Sequence, residues 1–131
     1  MPEVSSTHGN GRILVVDGEP HIRRLLGAVL SSEGYEVATA VDGIQGLDTL
    51  AGTSFDLVIL DLAMPGAGGL EILSKIRSAP RHAETPVIIL ASKGQDTDRE
   101  TALAGGANDF LSKPFSPKKL LARIDEILGR S

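Results

Sequence analysis

Cysteine and tryptophan are both absent from the 131 residues, and the aromatic complement is three Phe and one Tyr. Without thiols there is no disulfide, no thiolate metal centre and no thiol nucleophile, so any chemistry must rest on oxygen and nitrogen groups. Long apolar runs are missing as well. None approaches the roughly 18 residues of a spanning helix, and the N-terminus has no apolar signal stretch, so a cytoplasmic location without membrane association is expected. A net charge of −4 and the lack of a basic stripe interleaved with aromatics argue against direct nucleic-acid binding. What remains is the balance of a globular protein, 41 % hydrophobic and 23 % charged, with enough chain for one core and too little for two.

Residues 1–11 are polar and carry no apolar period, which predicts a flexible tail ahead of a single domain over 12–131. Five short apolar runs follow: Ile13-Leu14-Val15-Val16, Tyr35-Glu36-Val37-Ala38, Leu57-Val58-Ile59-Leu60, Val87-Ile88-Ile89-Leu90 and Phe110-Leu111. The first, third and fourth are near-continuously aliphatic, as strands of a parallel sheet buried on both faces must be, and the weaker second and fifth suit its edges. Helical spacing fills the gaps. Pro20 suits a first turn, Ile22, Leu25, Leu26, Val29 and Leu30 follow at helical spacing, and Gly34 supplies the stop. Ile44, Leu47 and Leu50 mark a second helix ending near Gly52, and Leu70, Leu73 and Ile76 a third. The fourth, near 97–105, has few apolar residues, which predicts a mobile face. Ser116-Pro117 opens a fifth, with Leu120, Leu121, Ile124, Ile127 and Leu128 as its apolar stripe. Five alternations with right-handed crossovers give a doubly wound (βα)5 fold, an α/β three-layer sandwich.

In such sheets ligands bind beyond the carboxyl ends of the strands, near the reversal of winding. With the strand order 2-1-3-4-5, that edge gathers Asp17 from the first strand, Asp61 from the third, Ala91 and Ser92 from the fourth and Lys113 from the fifth. Taken singly, either aspartate serves as a turn cap, Ser92 as a helix cap and Lys113 as a solvated lysine. Their convergence on one edge points instead to phosphoryl capture, because an aspartate held in line with an activated phosphoryl group can form an acyl phosphate. Asp61 is the candidate nucleophile. Anion attacking anion needs positive charge, normally a hard divalent cation, which Asp17, Asp61 and the backbone carbonyl of Ala63 are placed to hold. Lys113 would meet a phosphoryl oxygen as a point charge.

At these residues the chain resembles the response-regulator receiver family, from about residue 12 to 128. The resemblance rests on Ile13-Leu14-Val15-Val16-Asp17, Leu60-Asp61-Leu62-Ala63-Met64-Pro65-Gly66 and Lys113-Pro114-Phe115, in that order. It implies a flavodoxin-like sheet and phosphoryl transfer to Asp61 from a histidine kinase or histidine phosphotransfer protein, with Mg2+ required. It further implies a structural change that spreads to the face of the fourth helix, fifth strand and fifth helix, where a downstream protein or a second copy would dock. Phe110 stands at the family's aromatic switch position, equally suited to plain edge-strand packing, and the Lys113-Pro114 peptide is expected to be cis.

Two positions depart from the family. Its adjacent acidic pair after the first strand reads Asp17-Gly18 here, so the ligand expected to touch the metal directly is absent. Glu19 comes next and is expected to face solvent or cap the first helix, with compensation at the metal as the lesser expectation. The Thr or Ser that ends the family's fourth strand is Ala91, and Ser92, one residue on, need not replace it, since successive strand side chains alternate in direction. The missing hydroxyl should weaken coupling to the following loop by about 1–3 kcal/mol, and the thinned metal site should bind Mg2+ less tightly. The same departures open an alternative, a pseudo-receiver that works by contact without phosphate. An aspartate-nucleophile phosphatase is disfavoured because Ala63 stands where its second Asp would be, and a flavin-type phosphate cradle because Gly18-Glu19-Pro20 lacks small or hydroxyl residues in a run.

Overall fold

The computed structural model describes residues 11–64, 66–92 and 94–129. The three aliphatic runs occupy the middle of the sheet because only there are both faces of a strand covered. β1 (Gly11–Val16), β3 (Leu57–Asp61) and β4 (Val87–Ala91) are buried nearly throughout, while β2 (Tyr35–Ala40) and β5 (Asp109–Ser112) are partly exposed. All pairings are parallel and the order is β2-β1-β3-β4-β5, as the sequence pattern predicts. Between them run α1 (Pro20–Ser32), α2 (Gly43–Gly52), α3 (Gly69–Ser78), a 3-10 turn (Asp96–Asp98) leading into α4 (Arg99–Ala104), and α5 (Pro117–Ile127).

Alternation along each strand sorts the core into two halves. Ile13, Val15, Ile59, Ile88 and Leu90 pack against Ile22, Leu26 and Leu30 of α1 and Leu120 and Ile124 of α5. Leu14, Val16, Val58, Leu60 and Ile89 pack on the opposite face with Leu50 of α2, Ile72, Leu73 and Ile76 of α3 and Ala102 of α4. Caps hold where the sequence places them: Ser116 Oγ accepts from Lys119 N at 3.2 Å, and Gly34 takes φ +90° just beyond α1.

Two expectations need correction. Gly11 belongs to β1, paired with Tyr35, rather than to a tail; residues 1–10 lie outside the described residues. Ile44 does not face the core of α2 but is 66 % exposed. The buried face of that helix is made of Gly43, Gly46 and Leu50. A Cβ on Gly46 would lie 3.0 Å from Val16 and one on Gly43 2.5 Å from Ile72, so the helix seats closely on glycines and turns its isoleucine outward. Among the described residues no helix is long and apolar enough to cross a membrane.

Candidate functional site

Register brings the ends of β1, β3 and β4 level. Val16 pairs with Leu60 and Asp61 with Leu90, so Asp17 and Asp61 emerge at the same edge. Each backbone is fixed there: Asp17 N donates to Ala40 O at 3.1 Å, Leu62 N to Leu90 O at 2.8 Å, and Lys113 N to Ala91 O at 2.7 Å. Asp17 is fully buried and Asp61 is 3 % exposed. Burial of two carboxylates at one edge demands a positive partner.

Lys113 provides it. Its Nζ lies 3.0 Å from Asp17 Oδ2, 3.5 Å from Asp61 Oδ1 and 3.5 Å from Glu19 Oε2, with only 10 % of the side chain exposed. Beyond these ion pairs neither Asp17 Oδ2 nor Lys113 Nζ has a hydrogen-bond partner among the described residues. Burial and the neighbouring Asp17 push the Asp61 carboxyl above the ordinary carboxylate range, against the opposing pull of Lys113 and of the Ala63 N–H, which donates to Asp61 Oδ1 at 3.3 Å. For Lys113, burial would lower the pKa, but pairing with Asp17 and the charges of Asp61 and Glu19 outweigh it, so the ammonium is held. The Lys113-Pro114 peptide is cis.

Glu19 stands at the N-cap of α1 with its side chain half exposed, but it caps through its backbone alone. Its carbonyl starts α1 by accepting from Ile22 N and Arg23 N, both at 3.1 Å, yet its side chain makes no capping bond. The carboxylate turns back over the edge to Lys113, with His21 Nε2 3.4 Å from its other oxygen. Gly18, between the two acids, offers no side chain. Among the described residues no three His, Cys, Asp or Glu are spaced as a ready metal cage. The oxygens available are nevertheless of the hard type that suits Mg2+, which binds through one or two carboxylates and keeps several waters. Asp17 Oδ2, buried and met only by the Lys113 ammonium, lies with Asp61 and the exposed Ala63 at an edge that fits such an ion.

The fourth-strand positions separate. Ala91 is the last residue of β4, fully buried, and shares one apolar cluster with Phe110 and Ala102. Ser92 lies outside the strand; its N–H donates to Gln95 Oε1 at 2.7 Å, and no hydrogen bond joins its hydroxyl to Asp61 or Lys113. Phe110 is 2 % exposed, and its carbonyl accepts from Arg99 NH1 at 2.8 Å, with that guanidinium carbon 5.9 Å from the ring centroid. Ser112 Oγ donates to Asp96 Oδ1 at 2.8 Å. α4 is therefore tied to β5 by polar contacts at its N-terminal end.

Two contributors escaped the sequence. Gly69 opens α3 directly against the end of β3: a Cβ there would lie 2.6 Å from Asp61 O and 2.7 Å from Leu62 Cα. Its N–H donates to Leu62 O at 2.8 Å. Arg23 Nη1 donates to Asp17 O at 2.8 Å and so fixes the β1 end from α1. Both contacts are non-local, and the sequence signals neither.

Two buried aspartates and a largely buried lysine, each just at or beyond the end of a different strand, thus meet at the carboxyl edge of a doubly wound sheet. Comparison gives the particular kind: the response regulator receiver domain family matches residues 13–125, and the chain belongs to it. It is 43 % identical over 121 residues to the uncharacterized transcriptional regulatory protein YkoG of Bacillus subtilis, covering 92 % of this chain and 52 % of that protein. It is 43 % identical over 119 residues to the response regulator ArlR of Staphylococcus aureus, covering 91 % and 53 %. The chain thus spans about half the length of these relatives. Among solved structures it matches a response regulator from Chloroflexus aurantiacus with a TM-score of 0.86 at 32 % identity, over 92 % of this chain and 98 % of that one. It also matches the chemotaxis protein CheY4 of Vibrio cholerae with a TM-score of 0.83 at 32 % identity, over 88 % and 97 %. Receiver domains of this family generally take a phosphoryl group and Mg2+ at the acidic edge.

Proposed function

We propose that Asp61 accepts a phosphoryl group from a histidine kinase or histidine phosphotransfer protein, and that the change is passed to a partner protein through α4, β5 and α5. The observation that carries this reading is the buried Asp61–Lys113 pair, 3.5 Å apart at the mouth of the sheet, on a carboxylate held by the Ala63 N–H. In the step, an Asp61 oxygen bonds to phosphorus as the bond from phosphorus to the donor breaks, and the electron pair leaves with the donor. The product is a mixed anhydride. Lys113 offsets charge on the transferred group, and Asp17, itself paired with Lys113, keeps that ammonium at the edge. A bound Mg2+, held by Asp17, Asp61 and the Ala63 carbonyl, would supply the remaining positive charge. With Gly18 in place of a carboxylate, that ion binds more weakly than in a site with the full acidic pair. The domain acts as a switch and not as an enzyme on a separate substrate.

Output is by protein contact, in keeping with the net charge of −4, and a second copy of the domain is one candidate for that contact. Relatives named as transcriptional regulators are about twice as long as this chain, so any nucleic-acid contact of a longer protein would fall to other segments. A cytoplasmic location suits this role.

A second reading has its own support. Lys113 already offsets part of the edge's negative charge without a metal, and Gly18 and Ala91 remove a ligand and a hydroxyl, as suits a pseudo-receiver that works by contact alone. Incubation of the chain with Mg2+ and acetyl phosphate, followed by intact mass measurement, separates the two. One phosphoryl adduct, abolished in Asp61→Asn, is the expected outcome; no adduct even at high donor concentration would favour the pseudo-receiver.

A further inference from the structure

Arg77, in the last turn of α3, carries a half-buried guanidinium whose hydrogen bonds all leave its own helix. Nη1 donates to His82 O at 3.2 Å and to Thr85 O at 2.7 Å, in the loop that leads to β4. Nε and Nη2 donate to Gly106 O at 3.1 and 2.8 Å, and Nη2 also to Asn108 Oδ1 at 3.2 Å, in the loop between α4 and β5. Arginine presents its N–H donors as a rigid fork, and here the whole fork is spent on two loops, with no carboxylate among the acceptors. Asn108 is fixed in turn to the start of β4: its N–H donates to Val87 O at 2.7 Å, and its Oδ1 accepts from Val87 N at 2.9 Å. Gly106 lies so close that a Cβ on it would come 2.8 Å from Arg77 Nε. The C-terminal end of α4 is clamped.

The other end is held more lightly. Its ties to β5 are the exposed bond from Ser112 Oγ to Asp96 Oδ1 and the bond from Arg99 Nη1 to Phe110 O. Between the two ends α4 buries only Ala102. On its α3 side lies an open cleft of about 270 Å3, bordered by Leu70, Leu73, Ser74 and Arg77 of α3 and by Thr101 and Gly105. A segment with few buried apolar contacts and exposed hydrogen bonds opens at low cost. Free space beside it gives the opening a direction.

We propose that Arg77 is the pivot of α4: the helix swings about its clamped C-terminal end, and its N-terminal end, freed from β5, leans into the cleft against α3. In the swung state Arg99 leaves the Phe110 carbonyl and Asp96 leaves Ser112, so β5 gains a free carbonyl and a free hydroxyl for a partner chain. The inference deepens the proposed output through α4, β5 and α5 and rests on that reading for its purpose; the motion itself needs no phosphoryl group.

Amide hydrogen exchange of the resting chain, read by NMR and corrected for intrinsic rates, follows the two ends separately. The Asp98 amide, bonded to Gln95 O, reports the light end, and the Ala107 and Asn108 amides, bonded to Ala102 O and Val87 O, report the clamp. Asp98 should exchange roughly tenfold faster or more. Arg77→Met should lower protection at Ala107 and Asn108 by roughly tenfold beyond its effect on global stability in urea, and Arg77→Lys, a point charge without the fork, should not restore it. The chain has no cysteine, so Asp96→Cys with Ser112→Cys adds the only thiols, at side chains that already meet. Oxidation of that pair should slow Asp98 roughly tenfold and leave Ala107 and Asn108 within about twofold of the reduced form. Thr101→Leu, which extends into the cleft, should slow Asp98 by roughly threefold more than Thr101→Ala, which raises helix propensity without filling it. The proposal is overturned if both ends of the parent exchange alike, if Arg77→Met lowers protection evenly along the chain, if the cross-link slows both ends equally, or if Leu and Ala at 101 are equivalent. Should Arg77→Met not fold, the cross-link and the Thr101 variants decide without it. No phosphoryl donor enters these measurements, and labelling of Asp61 is scored separately, so failure of the pivot is distinguishable from failure of the phosphoacceptor reading.

Discussion

Two aspartates meet at one edge of this sheet, each close to a glycine, and the two glycines are there for opposite reasons. Next to Asp61, Gly69 is demanded: a Cβ would be driven to 2.6 Å from the Asp61 carbonyl. Next to Asp17, Gly18 is demanded by nothing. Its φ is not positive, and a Cβ there would meet only Val41 O at an ordinary 3.7 Å. The β3 end is thus closed by packing around Asp61, whereas the glycine at the β1 end has no steric cause. Fold constrains the first glycine; function is free to change the second.

Lys113 is the group both ends share, so its removal should produce the largest effect. In Lys113→Met the buried Asp17 and Asp61 lose their common cation, and leaving buried charge unpaired costs about 3 kcal/mol in favourable packing. Urea unfolding in the presence of a chelator is expected to show a loss of that order with an unchanged slope. Added Mg2+ should recover part of it, since an ion that binds only the folded state stabilises it. A stability equal to that of the parent would mean the edge is already relieved by protonation, and the two ends would not be coupled through the lysine.

Gly69→Ala comes next. The obstructing atoms are backbone of Asp61 and Leu62 and cannot swing aside, so α3 or the end of β3 must shift, at a cost of about 1–3 kcal/mol. Thermal or urea unfolding measures that cost. On the proposed function, acetyl phosphate labelling should also slow, because the displaced group is the peptide of Asp61 itself. Normal labelling with normal stability would break the contrast between the glycines.

This contrast shows where sequence reading reaches. The central strands are legible because burial on both faces forces unbroken aliphatic runs, and Asp17, Asp61 and Lys113 are legible because they fall one step beyond those runs. Ser116 and Gly34 announce themselves by local rules. Gly69 does not, since its requirement comes from a strand eight residues earlier that only the fold brings against it. The outward turn of Ile44 has the same origin: seating of α2 on Gly43 and Gly46 is set by Ile72 and Val16, not by the helix's own period. Glu19 is only partly legible, for another reason. Local rules make it a cap or a solvent residue, and its direction is decided by Lys113, 94 positions along the chain, through the ion pair that spans the edge.

The smaller effects belong to Gly18, where one position separates chemistry from sterics. Gly18→Asp meets nothing closer than an ordinary contact with Val41 O, so it should fold without strain, lose a little stability in chelator through crowding of like charges, and bind Mg2+ roughly tenfold tighter, equivalent to about 1.4 kcal/mol. Faster labelling of Asp61 should accompany the tighter binding. Gly18→Ala is the control: its Cβ is tolerated, its unfolded chain has less freedom to lose, and stability should hold or rise by about 0.4–1 kcal/mol with Mg2+ affinity unchanged. If Ala tightened the metal as Asp does, the deficiency at β1 would be one of loop flexibility and not of a missing ligand. If instead Ala destabilised the domain as Gly69→Ala is expected to, both glycines would be structural and the difference between the two ends would disappear.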